Sequence, residues 1–181
     1  MKKELNEFQD IKSFIRNFII EDEELFKTIY FSDSSPTEND LPDSPYDIFT
    51  ASSSHGCVLF RRKNDIVQSE EGVNLLISMY SVPHGNFNEY SDTYILISLI
   101  CKGVNVQELE DGTDRSAYIS YLIDNNLIKA NINGSIVKKE SYKPIPLNEE
   151  NSGWQNIYSL VGFSYDYLNN KNIQKQLRGD F

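Results

Sequence analysis

The chain of 181 residues is poor in the residues that close metal sites and disulfides, with two cysteines and two histidines. The sequence His55-Gly56-Cys57 could begin a metal site, but a closed zinc site takes four ligands and would need every His and Cys or additional carboxylates. Cys57 and Cys101 both lie in apolar runs, where a free cysteine behaves as a small buried hydrophobe. We therefore expect two core thiols, no disulfide, no metal and no other cofactor.

Long hydrophobic runs are also absent. No apolar run approaches the roughly 18 residues that a membrane-spanning helix requires. Glu7 and Asp10 lie where a signal peptide would carry its apolar stretch. We expect a protein that makes no membrane contact and remains in the cytoplasm where it is made.

The motifs of nucleotide binding and catalysis are missing. Neither a Gly-x-Gly-x-x-Gly sequence nor a phosphate-binding loop ending in Gly-Lys-Ser/Thr occurs. His55 follows three serines, but adjacent residues of an extended segment point to opposite faces, so they do not form a catalytic pair. Four acids cluster further along: Glu108, Glu110, Asp111 and Asp114. Their spacing is not that of a calcium-binding loop and is explained by a turn and a helix cap. We expect no catalytic residues and a protein that is not an enzyme.

Positive charge is scarce, with 17 basic against 27 acidic residues and a net charge of −10. Residues 21–47 contain nine acids and one lysine, so they carry −8 of that charge. The nine acids are Glu21, Asp22, Glu23, Glu24, Asp33, Glu38, Asp40, Asp43 and Asp47. The compact basic cluster Arg61-Arg62-Lys63 is expected on a hairpin turn or paired with the acidic segment. The excess of negative charge argues against nucleic-acid binding. It is consistent with a basic protein partner, or with a surface that DNA passes without binding.

What the chain does contain is a strand, turn and helix unit. Residues 93–101 are apolar on both alternating faces apart from Ser98, which predicts a central strand covered on both sides. Asp111-Gly112 predicts a turn, after which Thr113 or Asp114 can cap a helix. The apolar stripe of that helix comprises Tyr118, Ile119, Leu122, Ile123 and Leu127. We expect the helix to pack on the sheet.

The remaining sequence patterns predict the order of helices and strands along the chain. Apolar spacing predicts a helix from Leu5 to about Ile19, and a second helix or a bend of the first after Glu21. Strands are expected at 56–62 and 73–82 as a hairpin, and at 154–165. Asn133-Gly134 between Ile132 and Ile136 predicts a second hairpin. We predict an α+β fold, a mainly antiparallel sheet of about five strands with one helix packed on a face, plus N-terminal helices and an extended acidic arm. The predicted units are helices 1–31, a Pro/Ser-rich acidic arm 32–54, a core 55–168 and a polar tail 169–181.

The order of these elements resembles that of the small neck and tail-completion proteins of tailed bacteriophages, which include head-to-tail connectors and tail terminators. The likeness is carried by the apolar strand from Tyr94, the turn Leu109-Glu110-Asp111-Gly112, Arg115, and the helix with Ile119 and Ile123. The aromatic strand at 153–158 is similar to the one that closes such domains. The sequence Cys101-Lys102-Gly103 departs from this pattern, since a polar residue such as His is expected there.

The resemblance implies a non-enzymatic virion protein that forms a ring in the neck and part of the genome-delivery channel. Its partners would be its own copies and neighbouring portal, neck or tail proteins, and DNA would pass by without specific binding. The interface candidates are Glu21, Asp22, Glu23, Glu24, Asp33, Glu38, Asp40, Asp43, Asp111, Asp114 and Arg115. Arg115 is expected to be exposed and to form a salt bridge with Asp111 or Asp114. The alternative function is a monomeric, acidic inhibitor or immunity-like protein that imitates DNA. That function predicts carboxylates spread over a folded face, whereas the sequence crowds them into one Pro-rich stretch, which favours the neck protein.

Overall fold

A computed structural model of the chain describes residues 2–50, 55–60, 71–83, 91–132, 134–145 and 151–161. In chain order its elements are α1 (Lys2–Glu21), α2 (Glu23–Tyr30), 3-10 turns at Pro36–Glu38 and Pro45–Phe49, β1 (Cys57–Phe60), β2 (Gly72–Pro83), β3 (Ser91–Lys102), α3 (Val104–Gln107), α4 (Arg115–Leu127), β4 (Asn131–Ile132), β5 (Ser135–Pro144) and β6 (Asn151–Val161). The protein has the predicted α+β fold. The basic cluster at 61–63 and the polar tail 169–181 lie outside the described residues.

The N-terminal segment forms two helices, not one bent helix. Asp22 separates them, and its carboxylate accepts a hydrogen bond of 3.0 Å from the backbone N–H of Leu25 at the start of α2. This satisfies one of the amide groups that a helix leaves unpaired at its first turn. Ile11, Ile15 and Ile19 are fully buried at helical spacing, so the apolar face of α1 belongs to the core.

Six strands form one sheet in the order β1-β2-β3-β6-β5-β4, with β3 near its centre as predicted. All neighbouring pairs are antiparallel except β1 and β2, which run parallel with Cys57 opposite Asn74 and Phe60 opposite Ile77. The predicted hairpin between these two strands is therefore wrong. Two parallel neighbours cannot be joined by a two-residue hairpin turn and need a longer crossover connection.

The second predicted hairpin is confirmed between β4 and β5. Ile132 pairs with Ser135, and the backbone of Gly134 has a φ of 87°, a conformation that suits glycine. The N–H of Gly134 donates to the side-chain oxygen of Asn131 at 2.8 Å.

One face of the sheet carries the core. Ile95, Ile97 and Leu99 of β3 are buried on this face, where α1, α2 and α4 supply the covering apolar side chains. On the opposite face of β3, Leu96 is 6% exposed whereas Ile100 is half-buried, so the two faces are covered unequally. Cys57 and Cys101 are both buried and are not joined in a disulfide, which confirms the two predicted core thiols.

The docking of α4 on the sheet, as predicted, adds polar contacts to the apolar ones. The hydroxyl of Tyr158 on β6 donates to Asp124 on α4 at 2.7 Å, and Lys139 on β5 forms an ion pair of 2.5 Å with the same carboxylate. Burial and the charge of Asp124 both raise the pKa of Tyr158, which keeps its hydroxyl a donor. Asn156 donates to the hydroxyl of Ser120 at 2.7 Å. These contacts fix the orientation of α4, and with it the position of its first residue, Arg115.

Candidate functional site

Arg115, the first residue of α4, lies where α2, the acidic arm and the turn before α4 meet. Its side chain is 0% exposed, so the prediction of an exposed contact residue is wrong. The guanidinium donates to the carbonyl oxygens of Phe31 at 2.6 Å and Thr28 at 3.4 Å, and also to that of Asp33. A cation at the C-terminal end of α2 satisfies carbonyl groups that have no partner inside the helix and interacts favourably with the helix dipole. The sequence could not indicate this role of Arg115, because the acceptors of its hydrogen bonds are backbone atoms.

Burial lowers the pKa of Arg115, an effect opposed by the nearby Cys101 and Asp33. A guanidinium nevertheless keeps its proton in proteins, so the site holds a buried positive charge. Within the described part of the chain, Nε of Arg115 has no hydrogen-bond partner, and the predicted salt bridges to Asp111 and Asp114 are not formed. The two carboxylates are used locally instead.

Asp111 and Asp114 shape the turn and the helix start. Asp111 accepts from the N–H of Thr113 at 2.9 Å, and this hydrogen bond lowers the pKa of its carboxyl. Gly112 has a φ of 80°, as the predicted Asp-Gly turn requires. Asp114, one of the two predicted caps, accepts from the N–H of Ala117 at 2.8 Å.

The first half of the acidic arm is held against the domain. The N–H of Glu110 donates to the carbonyl of Ser34 at 2.9 Å, and the hydroxyl of Ser35 donates to the carboxylate of Glu110 at 2.8 Å. Lys27 of α2 donates to the carbonyl of Thr37 at 3.3 Å, and Pro36 is buried. The arm is irregular and mainly exposed, as its composition predicts, but these contacts place it on its own domain.

A groove of about 250 Å³ lies between α2, the arm and the turn. The described residues that line it include four carboxylates and no lysine or arginine. These carboxylates, which together define the acidic groove, are Glu24, Glu38, Glu110 and Asp111. The hydroxyl of Tyr118 on α4 donates to the carboxylate of Glu24 at the edge of this groove. That hydrogen bond, with lesser contributions from burial and nearby charge, raises the pKa of Tyr118 to about 12.

The other predicted interface residues lie around or away from the acidic groove. Asp22 is half-buried, where it caps α2 and accepts from the side-chain amide of Asn126 at 2.7 Å. Glu23 pairs with Lys27 at 2.7 Å, and Asp33 accepts from the N–H of Ser35 at 3.0 Å. Glu21, Asp40 and Asp43 are exposed and do not line the groove.

Two ionisable residues of the groove, Glu110 and Tyr118, were not among the predicted interface residues. The sequence predicts Glu110 in a turn and Tyr118 in the apolar stripe of a helix. A signal for Glu110 exists in the sequence, since it falls among acids at 108–114, but nothing in the sequence indicates that this turn meets the arm. In the ranges that the structure describes, no group of three His, Cys, Asp or Glu side chains is arranged to hold a metal ion.

Comparison with known families decides the origin of the chain. The sequence profile of the YomW family matches residues 22–160. The chain belongs to the YomW family. This family derives from SPBeta-like prophages, so the chain is a phage protein, as the resemblance implied.

The match to the YomW family begins just before α2 and ends one residue before the end of β6, so it includes the arm, the groove and all of the described sheet except Val161. It leaves α1 outside. No curated protein matches the chain at a significant level. Of the helices described, none is both long enough and apolar enough to cross a membrane.

Proposed function

We propose that this phage protein is a non-enzymatic structural component of the virion. In this proposal it forms a ring in the neck between head and tail, as a head-to-tail connector or tail-completion protein, and the ring forms part of the genome-delivery channel. The proposal is supported by membership of a phage-derived family and by the resemblance of the strand, turn and helix unit at 94–127 to neck proteins. Its partners are further copies of the chain and neighbouring portal, neck or tail proteins.

The observation that carries the proposal is the uncompensated acidic surface. Glu24, Glu38, Glu110 and Asp111 come from three segments and line one groove, while the nearby cations are withdrawn from solvent. The side chain of Lys27 is 11% exposed and bound to Glu23, and Arg115 is fully buried. Phosphates bind proteins through accessible lysine and arginine, so a surface of this kind repels DNA and lets it pass.

The experiment is a deletion of the gene from the phage, with mass spectrometry of purified wild-type particles. A neck component is expected in particles at a fixed copy number well below that of the major capsid protein. The deletion is expected to yield filled heads and separate tails, and the wild-type gene supplied in trans should restore complete particles. Absence from clean particles, together with normal particles from the deletion strain, would reject the proposal.

A charge test addresses the channel itself. The variant Glu38→Gln/Asp40→Asn/Asp43→Asn removes three exposed negative charges without touching the hydrogen bonds described for the arm. If these acids face passing DNA, particles carrying this variant should assemble but release their genome more slowly. Unchanged assembly and unchanged DNA delivery would remove the charge argument while leaving a neck role open to the deletion test.

The second candidate function is the acidic inhibitor or immunity-like protein, and one observation favours it. Carboxylates of α2, the arm and the turn lie on one folded face, which is the arrangement that this function predicts and that the sequence alone did not indicate. In that case the protein would be absent from particles and would retain a basic host or phage protein in a pull-down from infected cells. The triple variant above is the matched control, because it should lose such a partner without losing its fold.

A further inference from the structure

A pocket of about 800 Å³ lies beside α1 and the part of β2 that continues past the end of β1. Of the ten described residues that line it, seven are apolar or aromatic, one is the cation Lys12 and none is a carboxylate. This lining is unusual in a chain with 27 acids and a net charge of −10. Pockets of this size and character bind small organic molecules in many proteins. We call it the apolar pocket, and the residues that define it are Phe8, Lys12, Phe60, Tyr80, Leu96 and Ile157.

The apolar pocket bends around the edge of β2. Strand β1 ends at Phe60, whereas β2 continues beyond the residue that pairs with it. On the face of the sheet that carries the helices, the pocket is bounded by Phe60 and by Phe8 of α1. On the opposite face, Leu96 of β3 and Ile157 of β6 lie side by side in register and form its floor. A flexible alkyl chain can follow such a bend, whereas a rigid ring system cannot.

Two cations of α1 lie beside the aromatic wall of the apolar pocket. Nζ of Lys12 is 5.9 Å from the centre of the Phe60 ring, and Cζ of Arg16 is 5.2 Å from the same ring. These distances permit cation–π attraction, which holds both charges close to the pocket. In the part of the chain that the structure describes, neither cation forms an ion pair with a carboxylate. Like charges four residues apart on a helix repel each other, so a bound anion would be stabilised by both.

The polar groups of the apolar pocket are too few for a nucleotide. Apart from Lys12, the described lining offers only the side chains of Ser78 and Gln155 and the hydroxyl of Tyr80. The amide of Gln155 already donates to Ser98 at 3.2 Å. A sugar and a base would therefore find few hydrogen-bond partners, and several phosphates would be repelled by the net negative charge of the protein. One lysine beside a long apolar surface matches a ligand with one negative charge and an apolar body.

We propose that the apolar pocket binds a monoanionic amphiphile of the fatty-acid class, with its carboxylate beside Lys12 and its alkyl chain between Phe60 and Leu96. The charge of Arg16 strengthens the attraction for the carboxylate. This inference goes beyond the proposed virion function and does not depend on it. Lys12 and Arg16 precede residue 22, where the match to the YomW family begins, so the charged end of the site lies outside the matched region.

The first experiment is isothermal titration calorimetry of the full chain with decanoate, at concentrations below those at which it forms micelles. We expect saturable binding of one decanoate for each chain. Lys12→Gln should weaken decanoate binding by about five- to tenfold, because it removes one partly exposed charge pair. The same variant should leave the binding of decanol unchanged, since decanol has the alkyl chain without the charge.

The matched control for the charge is Lys102→Gln, which changes an exposed lysine at the far end of β3 and should bind decanoate like the wild type. The proposal is overturned if decanoate shows no saturable binding to the wild type. It is also overturned if Lys12→Gln and Lys102→Gln bind decanoate equally well.

The second experiment locates the alkyl chain. Tyr80 is 39% exposed and stacks on Tyr94, so Tyr80→Ala should keep the fold while removing part of the pocket wall. It should weaken the binding of decanoate and of decanol alike. Tyr121→Ala removes a tyrosine that is likewise exposed and stacked on another tyrosine, but on α4, and should change neither affinity. Circular dichroism checks the fold of each variant, and unchanged affinities in Tyr80→Ala would contradict the proposed position of the alkyl chain.

The competing occupant is single-stranded DNA, whose bases could stack on Phe60 while its phosphates meet Lys12 and Arg16. Titration with oligothymidylate distinguishes the two occupants. Binding of decanoate without binding of oligothymidylate supports the proposal. Binding of oligothymidylate that is lost in Lys12→Gln, with no binding of decanoate, would overturn it in favour of a nucleic-acid site. All these titrations use the purified chain, so their failure is distinct from absence of the protein from particles, which tests the neck function.

Discussion

At the scale of single residues, Arg115 is the side chain on which the arrangement around the acidic groove depends. A buried guanidinium commonly faces a carboxylate, but this one faces three backbone carbonyls at the end of α2 and the start of the arm. Replacing it with alanine leaves those carbonyls without their donor in a buried site. We expect Arg115→Ala to lower the free energy of unfolding by about 3–5 kcal/mol. Urea denaturation followed by circular dichroism measures this change.

The control for Arg115 is Lys138→Ala, which removes an exposed cation and should change stability by less than about 0.5 kcal/mol. Arg115→Lys should recover only part of the loss, since an ammonium cannot reproduce the planar fork of a guanidinium. If Arg115→Ala proved as stable as the wild type, the buried hydrogen bonds would not hold α2 and the arm in place.

Tyr118 predicts a pH dependence. Its hydrogen bond to Glu24 raises its pKa to about 12, above the ordinary value of 10.0, so the folded state favours the protonated phenol. The resulting stabilisation is fully present below pH 10 and is lost as the pH rises towards 12. We expect Tyr118→Phe to cost at most about 1 kcal/mol at pH 7, because the pair is partly exposed, and less at pH 11.

Measurement of Tyr118→Phe requires urea denaturation at both pH values, with Tyr121→Phe as the control. Tyr121 is 58% exposed and stacks against Tyr118, so its variant reports the general effect of removing a surface phenol. A difference between wild type and Tyr118→Phe that grew with pH would contradict the assigned direction.

At the scale of secondary-structure elements, Gly56 allows α2 and β1 to approach closely. A Cβ atom at this position would lie 1.7 Å from the carbonyl oxygen of Ile29, which cannot move without disturbing α2. Gly56→Ala should therefore lower the free energy of unfolding by at least about 2 kcal/mol. Gly134→Asn is the matched control, because space around Gly134 is open and asparagine tolerates its positive φ. Equal stability of the two variants would show that α2 and β1 separate at little cost.

The elements that the sequence predicts well are those with a period of their own. Ile11, Ile15 and Ile19 mark α1, the apolar run around Ile97 marks the central strand, and Asn133-Gly134 marks the hairpin of β4 and β5. The direction of β1 has no such signal, since the alternation of side chains is the same in parallel and antiparallel strands. The hairpin predicted between β1 and β2 was wrong for this reason.

At the scale of the whole molecule, the acidic groove could not be predicted because it depends on contacts between distant segments. Composition correctly indicates an irregular arm, and the acids of α2 and the arm are evident in the sequence. The hydrogen bonds that join Glu110 to Ser34 and Ser35 are not evident in the sequence, because they are made by common polar residues. Arg115 misleads further, because an arginine beside two aspartates suggests a surface salt bridge and not a buried donor to carbonyls.

The extent of the family match gives a prediction for the whole chain. The YomW profile begins at residue 22, yet Ile11, Ile15 and Ile19 of α1 are fully buried in the shared core. Removing residues 1–21 would expose the surfaces that these side chains cover, and each lost isoleucine would lower the free energy of unfolding by up to about 2 kcal/mol. Domains of this size have a free energy of unfolding of about 5–15 kcal/mol, so the three losses together would remove a large part of it.

We therefore expect the 22–181 fragment to aggregate or to unfold at a much lower urea concentration than the full chain. Circular dichroism and size-exclusion chromatography of both chains test this expectation. Replacing the exposed Gln9 with alanine in the full chain controls for a change confined to the surface of α1. A fragment with the urea midpoint of the full chain would mean that the matched region folds by itself, and that α1 is an addition to the YomW domain instead of a part of its core.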